Sequence, residues 1–288
     1  MFRYIIPIIL VLTLVTLACG VNINLPVKMV TPGPEVTDDI NVTLPSTSND
    51  VNLKLAFGAG SLYLAPGGGN SLVTGTATYN LPDLKPKITT AGSSVSIKQG
   101  EYKITGISNI PNLEGLKNEW DLKLGDIPLA LTIQAGAYDA HYDLGGLSLK
   151  SLTVQDGASD VVLSFSSPNK TTMSLLRYET GASSVDIKGL GNANFSTFIF
   201  KSGAGNYTLD FSGDLKRDGT VTIDSGISNI TLLIPAGIPV QVTVEGGLSN
   251  VNAGAGWTTQ GNVYTQSGSG SSLTFVIKIG AGNLTIGQ

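Results

Sequence analysis

Side chains able to do chemistry are few in this chain. One cysteine, Cys19, and one histidine, His141, occur in 288 residues. A Ser/His/Asp or Cys/His triad could be built only around His141. That residue stands between Ala140 and Tyr142 in an alternating stretch, at the outward position of an exposed or half-packed strand residue. Zinc needs a set of His and Cys ligands that this sequence does not hold. Close acidic pairs occur at Asp38-Asp39, Asp139/Asp143 and Asp156/Asp160. Calcium needs clustered carboxylates, and these pairs read as solvated turn residues. Gly67-Gly68-Gly69-Asn70, after Pro66, lacks the Gly-Lys-Ser/Thr ending and following helix of a phosphate cradle and reads as a turn. The expectation is no catalytic residue, no metal ligand and no cofactor.

Cys19 has a different chemistry, set by what precedes it. Arg3 is followed by Tyr4–Ala18, a run without a charge, and polar sequence begins directly after Cys19. A basic start, an apolar stretch and a small residue before the break make a secretory signal; a membrane helix would need about 20 apolar residues. Thr16-Leu17-Ala18-Cys19 resembles the lipobox of bacterial lipoproteins, matching at Ala18 and Cys19 and departing at Thr16, where Leu is usual. The resemblance implies a signal over 1–18, cleavage after Ala18 and a diacylglyceryl thioether on Cys19. It also implies an extracytoplasmic protein anchored by lipid to a bacterial cell membrane, each buried methylene being worth about 0.8 kcal/mol. An ordinary cleaved signal and an uncleaved anchor are the alternatives.

Composition fits an extracytoplasmic β protein. There are 36 glycines, 13% charged residues and a formal net charge of −4. No basic surplus attracts phosphate backbones, so nucleic acid is excluded as a partner. A single thiol excludes disulfides within the chain. Residues 19–50 read as a tether, with Pro26, Pro32, Pro34 and Pro45 among Thr, Ser and Asp; such a stretch extends by up to ~3 Å per residue. The alternative is an edge strand at Ile40–Leu44.

From Val51 the chain repeats itself. The unit is a small residue, often Gly-Ala, then any residue, a short polar residue, and alternating apolar positions. It appears as Gly58-Ala-Gly-Ser-Leu-Tyr-Leu, Ala91-Gly-Ser-Ser-Val-Ser-Ile, Gly136-Ala-Tyr-Asp-Ala-His-Tyr and Gly157-Ala-Ser-Asp-Val-Val-Leu. It returns at Gly181, Gly203, Gly226, Gly247 and Gly280, the last as Gly-Ala-Gly-Asn-Leu-Thr-Ile. From Gly136 to Gly247 the steps are 21, 24, 22, 23 and 21 residues. The opening glycine permits positive φ or a close backbone approach at a corner. The fourth position (Asp139, Ser184, Asn206, Asn229 and Asn283 among others) suits turns. Val185, Ile187, Ile230 and Leu232 would point inward, Asp186 and Thr231 outward. Second strands are expected at Met173–Tyr178, Phe195–Lys201, Thr220–Asp224 and Val240–Glu245.

These features specify an all-β chain and favour a β-solenoid, right-handed and parallel β-helix-like, with coils of ~22 residues stacked at ~4.8 Å. An antiparallel β-sandwich is the alternative. The Gly-Ala-x-Ser/Asp/Asn units, the stretch Trp120-Asp-Leu-Lys-Leu-Gly-Asp-Ile-Pro-Leu, and Leu144-Gly-Gly-Leu-Ser-Leu-Lys-Ser-Leu resemble the toast-rack family of bacterial envelope proteins. That family is related to the extracytoplasmic part of LiaF-type cell-wall-stress proteins. The resemblance implies a less regular toast-rack-like β region over 51–127 and the repeated region over 128–288, and supplies no catalytic residue.

The function expected is non-catalytic: a lipid-anchored surface protein serving as envelope scaffold, sensor or adhesin-like binding module. Its partners would be the membrane through Cys19 and a glycan, peptidoglycan or envelope protein. Two alternatives remain. A polysaccharide-active β-helix enzyme would need paired carboxylates in a groove, where the outward row reads Thr208, Thr231, Asn252 and Thr285. A self-associating filament would use Gly280–Ile286 as an exposed end coil. Six Asn-x-Ser/Thr triplets, at Asn41, Asn169, Asn194, Asn206, Asn229 and Asn283, read as corner and outward-strand residues.

Overall fold

The alternating pattern around each Gly-Ala corner becomes one long bent strand. A computed structural model describes residues 32–45, 51–101 and 115–287. Its strands are β1 (Val36–Thr43), β2 (Val51–Pro66), β3 (Ser71–Tyr79), β4 (Lys87–Ala91), β5 (Ser94–Lys98), β6 (Asn118–Leu124), β7 (Leu129–Asp143) and β8 (Leu149–Ser164). They continue with β9 (Met173–Lys188), β10 (Phe195–Asp210), β11 (Gly219–Leu233), β12 (Val240–Glu245), β13 (Leu248–Ala253), β14 (Thr258–Gln260), β15 (Val263–Gln266) and β16 (Leu273–Gly287). The segment Met173–Tyr178 and the Gly181 unit after it are thus two arms of β9. Val185, Ile187, Ile230 and Leu232 are buried as their alternation requires.

The opening glycines serve close approach between neighbouring strands. A Cβ on Gly181 would lie 2.4 Å from the Gly157 carbonyl oxygen, well inside contact distance. Equivalent corners therefore stack backbone on backbone, and β7, β8, β9, β10 and β11 pair in parallel and in register. The antiparallel sandwich does not describe this region, because consecutive repeats run the same way. The sheet is continuous across residue 127, since β2 pairs in parallel with β7. Inward side chains of all rungs join one hydrophobic cluster, and the connections add Leu144, Phe165, Leu190 and Phe211 to it. Aromatic edges lock the layers, with Phe57 and Trp120 centroids of adjacent rungs 5.1 Å apart and Phe211 and Phe275, on either side of the β11 rung, 5.0 Å apart.

Both ends of the ladder depart from sequence order. At one end β2 lies between β7 and an interrupted rung made of β5 and β6. Antiparallel β4 and β3 then cover β5 and β6, and β1 pairs with β3. At the other end β16 lies between β11 and an interrupted rung made of β12 and β13, with β15 antiparallel on β12 and β14 on β15. The whole is a mixed sheet.

Two expectations are corrected here. Val36–Thr43, read as tether, is a strand: Ile40 and Val42 alternate with Asp39 and Asn41, and burial of the two aliphatics against the core acts together with pairing to β3 along the whole segment against the cost of ordering it. Residues 19–31 and 46–50 of the segment read as tether, and residues 1–18, read as a signal, lie outside the described residues. The last repeat, read as an exposed end coil, is an internal rung. Charge is consistent with that place. Lys278 of β16 stands in register between Asp224 of β11 and Glu245 of β12, 3.2 Å from the latter's carboxylate. In sequence order Asp224 would face Glu245, and like charges directly opposite destabilise a strand pair.

Candidate functional site

Register turns equivalent repeat positions into columns that run along the stack. Just past the corner on the outward side stand Asn206, Asn229, Asn283 and Asn250 on four successive rungs. The Asn229 amide donates to Asn206 Oδ1 at 3.0 Å, and the Asn283 amide to Asn229 Oδ1 at 2.7 Å. Beside them runs the column Thr208, Thr231, Thr285 and Asn252, the row read from the sequence as outward. These asparagines are exposed, and each amide has hydrogen-bonding capacity left over.

On the other arm of the same rungs the corresponding column is charged. It runs Glu179, Lys201, Asp224, Lys278, Glu245, alternating in sign. Gln134 donates to Gln155 at 2.9 Å, Gln155 to Glu179 at 2.8 Å and Arg177 to Glu179 at 2.6 Å. The Gln155 and Arg177 bonds hold the Glu179 carboxyl below its usual range. Both columns pin the register that a slip would break.

His141 is exposed and stacks on Tyr63 of β2, with ring centroids 5.8 Å apart and planes 18° from parallel. With Asp121 and Val162 they line a shallow groove of about 350 Å³. Asp139 and Asp160 face outward in register and line a second groove of about 540 Å³ with Ser61 and Leu116. Among the described residues no three of His, Cys, Asp and Glu gather into a metal-binding group.

The other acids are placed more specifically than the sequence implied. Asp156 is not a solvated turn residue. It accepts hydrogen bonds from Tyr138 at 3.1 Å, from Tyr178 at 2.8 Å and from Thr180, under the corner. Burial pushes the Tyr138 and Tyr178 hydroxyls well above their ordinary pKa, so both stay neutral donors. This network joins a seam of hydroxyls in which Ser159 meets Ser183 at 2.9 Å and Ser202 meets Ser225 at 2.7 Å. Asp143 accepts from the Gly145 N–H at 3.0 Å and the Ser166 hydroxyl at 2.7 Å, and Asp38 from Tyr79 at 2.6 Å. Asn169 and Asn194 are buried with their amides on backbone carbonyls. Gly67–Asn70 forms the β2–β3 turn. Cys19 lies outside the described residues.

Sequence reasoning did not find the Tyr63–His141 stack, the charge column or the bonding between asparagines. Each joins residues on neighbouring rungs, and only the register brings them together. The signal present in the sequence was the shared fourth position of Asn206, Asn229, Asn250 and Asn283.

No curated protein matches the chain. Among solved structures, one described as a putative cell adhesion protein from Clostridium sporogenes ATCC 15579 is 23% identical, covers 88% of this chain and 100% of its own, and superposes with a TM-score of 0.53. Another, described as a putative lipid binding protein from Parabacteroides distasonis ATCC 8503, is 11% identical over 89% of this chain and 99% of its own, with a TM-score of 0.41. A third, a putative adhesin from Bacteroides fragilis NCTC 9343, is 12% identical over 89% and 99%, at 0.33. The first likeness shows a shared fold. The family model for the N-terminal domain of toast_rack matches residues 31–188, more than half of the sequence and all the rungs up to β9. The chain belongs to the toast-rack family.

Proposed function

We propose that this protein is a non-catalytic, adhesin-like binding module of the bacterial envelope, held to a membrane by lipid on Cys19. Its strands form a β-solenoid, coils of ~22 residues stacked at the strand spacing, so the folded part works as a rigid scaffold. The observation that carries this reading is the pair of outward columns headed by Asn206 and Thr208, in which uncharged Asn and Thr side chains recur in register on four successive rungs. A repeating surface suits a repeating partner, such as glycan, peptidoglycan or an envelope protein. The similar Clostridium sporogenes structure, described as a putative cell adhesion protein, points the same way.

Co-sedimentation of the purified chain with intact sacculi and with whole cells tests the reading. Binding that survives Asp139→Asn and Asp160→Asn is expected. Failure to bind either preparation, or release of sugars that stops on those changes, would overturn it in favour of no envelope partner or of an enzyme.

A further inference from the structure

We infer that the outward face of β10, β11, β16 and the β12–β13 rung docks an uncharged linear glycan lying along the stacking direction. This rests on the binding-module reading above and adds the ligand's class and its seat. Three observations carry it. Charge is sparse on this arm of the four rungs: the two columns hold only Asn and Thr and Asp210 at the end of β10 is the one charged residue, while the other arm of the same rungs carries Lys201, Asp224, Lys278 and Glu245. A face so composed gives no counter-charge to a phosphate or carboxylate polymer and matches the paired donors and acceptors of sugar hydroxyls.

The amides are also held in place before any ligand arrives. Asn206, Asn229 and Asn283 bond head to tail, so their free N–H groups repeat at one strand spacing, about 4.8 Å. Ordering these side chains on binding costs little, since the ladder has already fixed them. The spacing is close to the advance per sugar of an extended chain, so successive sugars meet successive rungs.

The third observation is apolar. Ile227, at the corner of β11, is 71% exposed, the most exposed large hydrophobic side chain among the described residues. Its neighbours in register are Ala204 and Ala281, which leave it standing proud beside Asn229. An exposed aliphatic next to converging polar groups offers a seat for the C–H face of a pyranose ring, the mix typical of small-molecule sites.

The test is titration calorimetry of the full chain with chito- and cello-oligosaccharides of two to six sugars. Affinity should rise with each added sugar to about four, one per rung, and then level. Thr231→Val and Ile227→Ser should each weaken binding about five-fold, the factor that ~1 kcal/mol of lost contact is worth. Thr132→Val, in an outward column of the other arm, should change nothing. Thermal unfolding of each variant separates loss of binding from loss of fold. Binding without length dependence, or unaffected by either substitution in a folded variant, would overturn the inference. So would binding to sacculi that neutral oligosaccharides fail to compete, which leaves the binding-module reading standing with a charged or protein partner. Absence of binding to both oligosaccharides and sacculi would remove the reading and the inference together.

Discussion

The side-chain amide of Asn283 donates to Oδ1 of Asn229 at 2.7 Å, although the two residues are 54 positions apart. Asn250, much nearer Asn229 in sequence, lies on the far side of Asn283. The final strand is therefore threaded into the ladder and not added to its end. A Cβ on Gly280 would meet the Gly226 carbonyl oxygen at 2.8 Å, so the corner glycine of β16 stacks on that of β11 as closely as the others do on theirs.

Reversing the charge at the threaded strand should weaken it. Lys278→Glu places three carboxylates in a row with Asp224 and Glu245. Both partners of the existing pair are more than a third exposed, so the expected loss is about 1 kcal/mol or less per contact. It should shrink in high salt. Thermal denaturation at low and high salt checks both points, and Glu245→Lys in the same chain should recover part of the loss.

Removing β16 should cost far more than one peripheral strand. Without residues 273–288 the edges of β11, β12 and β13 are left unpaired beside an opened core that had held Phe275 and Ile277. The truncated chain is expected to lose its cooperative unfolding transition and to scatter more light. An unchanged transition, with self-association abolished, would revive the end-coil reading.

Corner glycines should resist even a methyl group. Gly181→Ala puts a carbon 2.4 Å from the Gly157 carbonyl oxygen and should destabilise by about 1–3 kcal/mol, the usual range for overpacking. Gly254→Ala is the control, because its Cβ would lie 3.5 Å from the Ile286 carbonyl oxygen, in ordinary contact. Denaturant midpoints of the two variants should differ clearly.

Acid should destabilise the fold. Hydrogen bonds from Gln155 and Arg177 depress the Glu179 carboxyl, Lys170 and Ser148 depress Asp126, and the backbone N–H and hydroxyl of Ser272 depress Asp218. A carboxyl with a lowered folded-state pKa contributes stability above its unfolded value, and that stability is lost as pH falls through the folded value. Melting temperature should thus be flat from neutral pH to about 5 and fall below about 4, near the ordinary carboxylate range. Asp218→Asn should flatten that acid limb.

Much of this architecture was legible in the sequence. The alternation of Val185, Asp186 and Ile187 and the steps of 21 to 24 residues announced strands of fixed length around a glycine corner, because period and corner chemistry are local. The ladder's ends were not legible, because nothing local distinguishes the Gly280 unit from its relatives. Its place joins it to distant segments along its whole length, with Lys278 between Asp224 and Glu245 as one of those contacts. Asp156 was misread for a related reason. The corner at Gly157 ends one run of alternation and begins another, and Asp156 is the last inward position of the first arm, beneath Tyr138 and Tyr178.

Lipid attachment has a direct readout. Cys19→Ser should abolish incorporation of labelled fatty acid and release the protein from the membrane fraction, whereas a cleaved ordinary signal would leave both unchanged.

Paired cysteines, introduced in a chain also carrying Cys19→Ser, test the threaded strand most directly. Neighbouring rungs set backbones about 4.8 Å apart, within disulfide reach, and next-but-one rungs lie beyond the ~7 Å limit. Asn229→Cys with Asn283→Cys should oxidise to an internal disulfide in the monomer, and Asn229→Cys with Asn250→Cys should remain reduced. The opposite outcome, a bridge between 229 and 250 and none between 229 and 283, would show repeats stacked in sequence order and contradict the placement of β16.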